Sequence, residues 1–300
     1  MTTETQDPAD AAPRPLLATL WMTGAIVSFT SMGVAGRELG GILDTFEIMF
    51  FRSVIGFFIV IAVAAALGRL GRIRARKMHL HTMRNTCHFL GQNLWFYAVT
   101  VIPLAQVVAL EFTTPLWVTL LAPFVLGERL TRTRALAAFF GFVGILIVAR
   151  PDFTEIDPGV LAAAASAIGF AGSIMLTKIL TRTETIVSIL FWLTVIQAFL
   201  GAGFAGWDGD IALPDGQALP WVIVIACAGL TAHLCLTKAL TLVPAVIVVP
   251  LDFARLPVIA IVGMLLYGER LDVFVFAGAL VIFAANYLNI VAEARKASQN

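Results

Sequence analysis

Charged residues are the scarcest class in this chain of 300 residues. They make up 13% of it, and 59% of the residues are hydrophobic. Soluble domains carry about 25% charged residues. Because a soluble fold cannot bury so much apolar surface, the composition excludes an ordinary soluble protein and predicts a lipid bilayer as the main solvent. The net charge of +1 gives no reason to expect a nucleic-acid partner.

Cysteines are few, and the sequences typical of enzymes are missing. The three cysteines all lie in apolar segments without a CxxC spacing, so no metal site, disulfide or cofactor is predicted. The chain has no HExxH, GxSxG or Walker A sequence and no carboxylate cluster at metal-ligand spacing. A polytopic membrane enzyme is therefore the less favoured functional class.

Ten segments are apolar enough to cross a membrane, which takes roughly 20 residues. They cover 16–36, 45–67, 84–102, 104–126, 134–149, 158–180, 185–206, 221–242, 244–267 and 272–291. Pro103 and Val243-Pro244 interrupt two long apolar stretches, so tight reversals are predicted there. Residues 1–15 are polar and are predicted to form a disordered tail, without the basic start or cleavage site of a secretory signal.

The chain contains an internal duplication. With a shift of 141 residues, positions 98–130 align with 239–271 at eleven identities in 33 positions and without a gap. The same shift superposes segments one to five on segments six to ten. The fold class is therefore an all-α polytopic membrane protein with two five-helix repeats, 16–149 and 158–291, a linker at 150–157 and a C-terminal tail at 292–300.

The distribution of basic residues predicts the orientation of these repeats. An odd number of spans per repeat inverts the second repeat relative to the first. With the N-terminus in the cytoplasm, fourteen Lys and Arg residues fall on the cytoplasmic side and three, Arg37, Arg150 and Arg270, on the other. This asymmetry predicts that both termini are cytoplasmic and that the protein lies in the inner membrane.

The repeated Gly-Glu-Arg-Leu sequence then faces opposite sides, Gly127-Glu128 inside and Gly268-Glu269 outside. The glycines are suited to helix ends, and the glutamates are expected near the start of the following helix, where the dipole favours a negative charge. On segment six, small residues recur at spacings of three and four, which predicts close helix contact. These residues are Ala165, Ser166, Gly169, Gly172 and Ser173.

Six charged residues fall inside or at the ends of the apolar segments, where an ionisable group is costly and suggests a functional site. They are Glu47, Arg52, Glu111, Lys238, Asp252 and Arg255. Glu47 lies at the outer end of segment two and is predicted to be interfacial. Lys238 lies four residues from the inner end of segment eight and can extend to the cytoplasmic surface.

The other four charges predict two ion pairs. Arg52 and Glu111 lie about 10 Å below the outer surface, and Asp252 lies about 12 Å from the inner one with Arg255 at i+3. We expect Arg52 to pair with Glu111 and Asp252 with Arg255. Static pairs that tie helices together are one interpretation. The other is that the pairs flank a midplane cavity and open in turn, or that one acid carries a proton.

Segment three carries a polar face at spacings of three and four, formed by Asn85, His88, Gln92 and Trp95. Such a face should not contact lipid, so it is predicted to line a cavity, with interhelical hydrogen bonding as the alternative. His233 on segment eight occupies the position shifted from Gln92. Five aromatic residues could stack on a flat substrate or simply pack: Trp95, Phe96, Tyr97, Trp117 and Trp192.

Two five-span repeats, the reversals at Pro103 and Pro244 and the Gly-Glu-Arg-Leu ends of segments four and nine resemble the drug/metabolite transporter superfamily, in its EamA-like branch. The resemblance covers about residues 16–291. It implies a ten-helix bundle with a central cavity, peripheral fifth and tenth helices, and a secondary carrier that often exports amino acids or related metabolites. Arg52 has no counterpart in the second half, where Leu193 takes its place, so the halves need not play equal roles.

The expected function is a secondary-active, monomeric carrier of a small polar metabolite that works by alternating access. The six charges sum to zero, which favours an amino-acid-like solute, with export ahead of uptake. An importer of a flavin- or nucleoside-type metabolite is the alternative, and a channel is disfavoured by closely packed inverted repeats. Glu111 and Asp252 are titratable at depth, which suggests a proton as the coupling ion.

Overall fold

A computed structural model of the protein describes residues 15–125, 127, 131–150, 157–207, 209–243 and 245–297. Twelve α-helices make up the described chain. In order they are α1 (Pro15–Glu38), α2 (Thr45–Ala66), α3 (Met78–Val101), α4 (Leu104–Glu111), α5 (Thr114–Val125), α6 (Arg132–Ala149), α7 (Pro158–Leu180), α8 (Ile186–Ala205), α9 (Ala218–Leu242), α10 (Ala245–Phe253), α11 (Arg255–Tyr267) and α12 (Val273–Ala297). A short 3₁₀ turn lies at Leu70–Arg72.

These helices form ten spans, because α4 with α5 and α10 with α11 each make one interrupted span. Eight spans are long and apolar enough to cross a membrane on composition alone. The other two are the third and the ninth spans. The third is more polar because it carries the face of Asn85, His88, Gln92 and Trp95, and the ninth is divided by the break between α10 and α11. Large apolar side chains such as Phe124 and Phe199 are exposed on the outside of the bundle, where lipid would cover them.

The helix boundaries correct the sequence analysis at several points. α3 begins at Met78 rather than at residue 84, Pro15 already belongs to α1, and α12 runs to Ala297 through part of the predicted tail. Residues 1–14, 151–156 and 298–300 of the predicted tails and linker lie outside the described residues. The reversal at Pro103 is confirmed, since α3 ends at Val101 and α4 begins at Leu104.

The helices pair as an internal two-fold axis requires. α3 packs along α7, and the shifted pair, α9 along α1, packs in the same way. α2 packs on its own counterpart α8, and α6 on its counterpart α12. The two repeats are therefore interlocked rather than side by side, since the first helix of each repeat, α1 or α7, lies against the third span of the other, α9 or α3. This is the inverted-repeat arrangement that the duplication predicts.

Small residues allow the closest of these crossings. A Cβ atom added to Gly169 of α7 would lie 2.7 Å from the Cα of Gly91 in α3, and one added to Gly172 would lie 3.1 Å from the sulfur of Cys87. The predicted small-residue face of segment six is confirmed as a contact surface with α3. Since lipid is as apolar as the helices, tight packing of this kind is a main source of helix association in a membrane.

Spans four and nine are broken near their middles. α4 ends at Glu111 and α5 begins at Thr114, because Pro115 has no amide proton to donate to the Glu111 carbonyl. The Thr114 hydroxyl donates to that carbonyl instead, at 2.7 Å. α11 begins at Arg255, two residues before Pro257. Such breaks are tolerated in a membrane where protein groups satisfy the freed backbone atoms, and they often mark binding sites.

Replacing Gly169 by valine is expected to separate α7 from α3 and to lower the melting temperature in detergent, because the new side chain would collide with the α3 backbone. An overpacked core typically costs about 1–3 kcal/mol. Gly203→Val is the matched control, since Gly203 lies on α8 with no atom near its added Cβ. Equal melting temperatures for the two variants would contradict the close crossing.

Candidate functional site

A buried charge cluster lies at the two helix breaks. The guanidinium of Arg255 lies 3.0 Å from a Glu111 carboxylate oxygen and 3.7 Å from an Asp252 carboxylate oxygen. Arg255 is only 4% exposed, while Glu111 and Asp252 are 18% and 23% exposed. The indole N–H of Trp95 donates to the other Glu111 oxygen at 2.9 Å. The cluster therefore joins span four of the first repeat to span nine of the second.

Aromatic rings enclose the Arg255 guanidinium. It lies over the ring of Phe29 at 4.7 Å and over that of Phe112 at 4.9 Å. Phe112 stacks on Phe253 with ring centroids 4.8 Å apart. Asn286 of α12 donates to the backbone carbonyl of Phe112 at 2.9 Å. These contacts replace much of the water that the charge would otherwise bind.

The predicted pairing is half right. Arg255 does contact Asp252, as expected, but the predicted pair of Arg52 with Glu111 is wrong. Glu111 binds Arg255, and Arg52 lies against Gln197 of α8, with 3.5 Å between its nitrogen and the amide oxygen. The reason is the tertiary pairing of α2 with α8, which keeps Arg52 away from span four. The internal two-fold also brings Glu111 and Asp252 to one arginine instead of separate thirds of the membrane.

The polar face of α3 is fully buried, and its members have different partners. Asn85 donates to the Trp192 carbonyl at 3.2 Å, and Trp95 donates to Glu111. His88 and Gln92, between them, line a cavity. The middle of this face, His88 and Gln92, therefore lines the cavity, whereas its ends, Asn85 and Trp95, form hydrogen bonds between helices.

The cavity lies at the midpoints of helices from both repeats and has a volume of about 30 Å³. Its polar lining residues are Arg52, Ser53, His88, Gln92, Thr194, Gln197 and His233. The rings of His88 and His233 have centroids 6.3 Å apart, and His233 also meets Phe29 edge-on. The arrangement offers a cation, several donors and acceptors, and aromatic faces at one point of the bundle.

Several polar atoms around this cavity are buried without a protein partner. They include Nδ1 of His88, Oε1 of Gln92 and Nε2 of Gln197. A buried polar atom without a hydrogen bond is costly, so such a set suggests a place for a polar ligand or ordered water. Gln197 was missed by the sequence analysis. The sequence could have identified it, because Gln197 is the one amide side chain in the apolar segment seven.

The remaining candidates of the sequence analysis lie elsewhere. Glu47 forms a capping box with Asp44 at the start of α2, in agreement with an interfacial position. Lys238 is exposed on α9. Trp192 donates to the Arg74 carbonyl at 2.9 Å. Of the five aromatic residues suggested for stacking, Trp95 alone touches the charge cluster, and none lines the cavity.

A second ion cluster ties the repeats together at one end of the bundle. Arg37, at the end of α1, pairs with Glu269 at 2.7 Å and also donates to two backbone carbonyls at the end of α3. Glu269 accepts the backbone N–H of Leu104, the first residue of α4, at 3.0 Å. A carboxylate at this position meets the positive end of the α4 dipole.

This geometry corrects the expectation for Glu269, which was placed at the start of the following helix. Gly268 has φ +64°, and the turn directs Glu269 back toward the other repeat. Asp272 caps α12 instead, accepting the Phe274 N–H at 2.8 Å. The copy of Glu269, Glu128, lies outside the described residues.

The comparisons with known proteins agree with this architecture. The EamA-like transporter family matches the chain twice, over residues 16–150 and 157–291. The riboflavin transporter of Brucella anthropi is 31% identical over 88% of this chain and 95% of its own length. The S-adenosylmethionine uptake transporter of Rickettsia felis is 25% identical over 97% of this chain and 98% of its own. A solved structure described only as "Crystal structure of protein" covers 93% of this chain with a TM-score of 0.61 and 20% identity, and shares its fold.

Replacing Arg255 by methionine is expected to destabilise the protein by about 3–5 kcal/mol, because it leaves two partly buried carboxylates without their counter-charge. Adding Glu111→Gln to that variant should restore part of the loss, since it removes one of the unpaired charges. Thermal unfolding in detergent measures both. Arg69→Met, at an exposed arginine, is the control and should change little. A double variant no more stable than Arg255→Met would contradict the pairing.

Proposed function

The chain belongs to the EamA-like transporter family, and on that premise we propose that it takes up a small metabolite with a flat heteroaromatic ring. We propose that transport proceeds by alternating access between the two repeats. As a member of this family it is a multi-pass membrane transporter of a small metabolite. The solute class, the direction and the mechanism are the proposal. The inner membrane is the proposed location, and a monomer is the proposed functional unit.

The names of the relatives argue for this solute class. S-adenosylmethionine and riboflavin, for which two relatives are named, both combine a flat nitrogen heterocycle with polar substituents. One of those relatives is named for uptake. The preference for export and for a plain amino acid, drawn from the sum of six charges, has no support among them. The flavin- or nucleoside-type alternative agrees with them better.

The observation that carries the proposal is the shared midplane cavity. Met32, Arg52 and His88 come from the first repeat, and Gln197 and His233 from the second. A site between inverted repeats is exposed to one side or the other as the repeats rock against each other. At about 30 Å³ the cavity is far smaller than a metabolite, so on this proposal it must widen to admit the solute.

We also propose that the Arg255 cluster couples this movement to protons. Glu111 and Asp252 compete for one buried guanidinium, so protonation of either acid would weaken one bond without leaving Arg255 unpaired. Because the cluster joins the two repeats, such a change would act on their contact. Under the other interpretation, in which the ion pairs only tie helices together, transport would not depend on the protonation of these acids.

The decisive experiment is uptake by sealed proteoliposomes of radiolabelled riboflavin, S-adenosylmethionine, adenosine and methionine. We expect the vesicles to accumulate an unchanged ring-bearing solute, faster with acid outside, and to take up little methionine.

Gln92→Leu should reduce uptake of the ring-bearing solute at least about tenfold, because it removes a central polar group that can hold the solute. Gln217→Leu is the control, since Gln217 is an exposed residue immediately before α9 and outside the cavity lining.

Three outcomes would count against the proposal. Uptake of methionine alone would restore the amino-acid interpretation. Chemical conversion of a solute without its movement into the vesicle would favour a membrane enzyme. An unaltered response to the pH gradient in Glu111→Gln and Asp252→Asn variants that insert normally would end the proton hypothesis.

The proposed orientation is tested by two matched cysteines introduced after the three native ones are replaced by serine. Gly71 and Gly216 are both exposed, and an added Cβ meets nothing at either. We expect Gly216→Cys to react with an impermeant maleimide in right-side-out vesicles and Gly71→Cys to react only after permeabilisation. The reverse pattern would place both termini outside.

A further inference from the structure

Two arginines of the first repeat, the buried Arg84 and the half-buried Arg52, lack the acidic partner that Arg37 and Arg255 have. Arg84 is 8% exposed and donates to the Asn85 side-chain oxygen at 2.8 Å and the Thr177 hydroxyl at 3.1 Å. Arg52 reaches only the Gln197 amide oxygen, at 3.5 Å. Within the described part of the chain, no carboxylate lies within ion-pair distance of either guanidinium.

Both charges lie near the cavity, because Arg52 lines it and Arg84 lies one helical turn before His88 on α3. Neither is compensated by a carboxylate of the described chain. Neutral amide and hydroxyl partners satisfy some N–H groups but do not cancel the charge, and an unpaired charge away from water costs several kcal/mol. By contrast, Arg255 has two carboxylates and Arg37 has Glu269.

The fold itself does not require these charges. The positions related by the 141-residue shift hold Leu193 and Ile225. The equivalent helix contacts of the other half therefore form with apolar side chains. A charge that appears in one repeat and is unnecessary in its copy is better explained by what the cavity holds than by helix packing.

The cavity next to Arg52 presents the other groups that an anion needs. Arg52 lines it together with His88, Gln92 and Gln197, which are 6%, 4% and 1% exposed. Each of these three has a buried polar atom without a protein partner. Either end of an amide side chain can face a ligand after a flip, so Gln92 and Gln197 can both donate.

We propose that the midplane cavity binds an anionic group of the transported metabolite, a carboxylate or a phosphate. Arg52 is its direct partner, Arg84, one helical turn before His88 on α3, supplies a second positive charge nearby, and His88 and Gln197 complete its hydrogen bonds. This inference rests on the proposed function, because it assumes that the cavity is the transport site. It narrows the solute to one that carries both a ring and an anionic substituent.

The test compares binding of matched anionic and neutral probes to purified protein in detergent, without transport. The pairs are riboflavin 5′-phosphate with riboflavin, adenosine 5′-monophosphate with adenosine, and methionine with methioninol. We expect at least one anionic member to bind at least about tenfold more tightly than its partner, as a charge-assisted hydrogen bond would provide. Flavin fluorescence and isothermal titration measure the affinities.

Variants identify the group responsible. Arg52→Gln should abolish the preference for the anionic member, while Arg52→Lys, which keeps the charge, should retain part of it. Arg69→Gln, at an exposed arginine outside the membrane-spanning segments, is the matched control and should retain all of it. A melting temperature for each variant separates loss of the site from loss of the fold.

If no anionic member binds better than its partner, or if Arg52→Gln keeps the preference, the inference is wrong. The proposed function could still hold in that case, through uptake of a neutral ring-bearing solute by the proteoliposomes. Conversely, a clear preference for an anion by a protein that moves none of the tested solutes would contradict the proposed function alone.

Discussion

The contact between Arg255 and Glu111 is the constraint on which the rest of the site depends. It crosses from one repeat to the other at the level where both helices are broken. An unpaired charge at that depth would be costly, so this contact favours keeping the two broken spans in register. The breaks in turn follow from Pro115 and Pro257, which deprive the helices of hydrogen bonds at this level. The prolines therefore set where the helices are interrupted, and the charge pair forms at that same level.

Inverted symmetry explains the architecture, and departures from that symmetry explain the site. The paired crossings of α3 with α7 and of α1 with α9 use the same packing twice. The charges do not follow this rule, since Arg52, Arg84 and Arg255 occupy positions whose copies are Leu193, Ile225 and Thr114. The scaffold is therefore symmetric, whereas the charges beside the cavity belong to one repeat only.

The two ion clusters have different structural roles. The Arg37–Glu269 pair lies at one end of the bundle and also caps α4, so it holds the turn after α3 against the turn after α11. The Arg255 cluster lies at mid-depth, where aromatic rings replace water around the guanidinium. The first pair therefore holds two turns together at one end of the bundle, and the second cluster holds the two broken spans together at mid-depth.

The sequence alone determined the membrane class, the ten spans, the duplication and the family, because apolar length, a 141-residue repeat and proline positions are properties of the linear chain. It also indicated the polar face of α3 and the unusual depth of Glu111 and Asp252. Which charges meet was decided only by the tertiary structure. Arg52 and Glu111 lie at similar depth, and depth was all that the sequence could supply. The pairing of α2 with α8 turned Arg52 toward Gln197, and the internal two-fold brought both acids to Arg255. Helix neighbours are chosen by packing across the whole bundle, and even the small-residue face of α7, which the sequence shows, did not identify α3 as its partner.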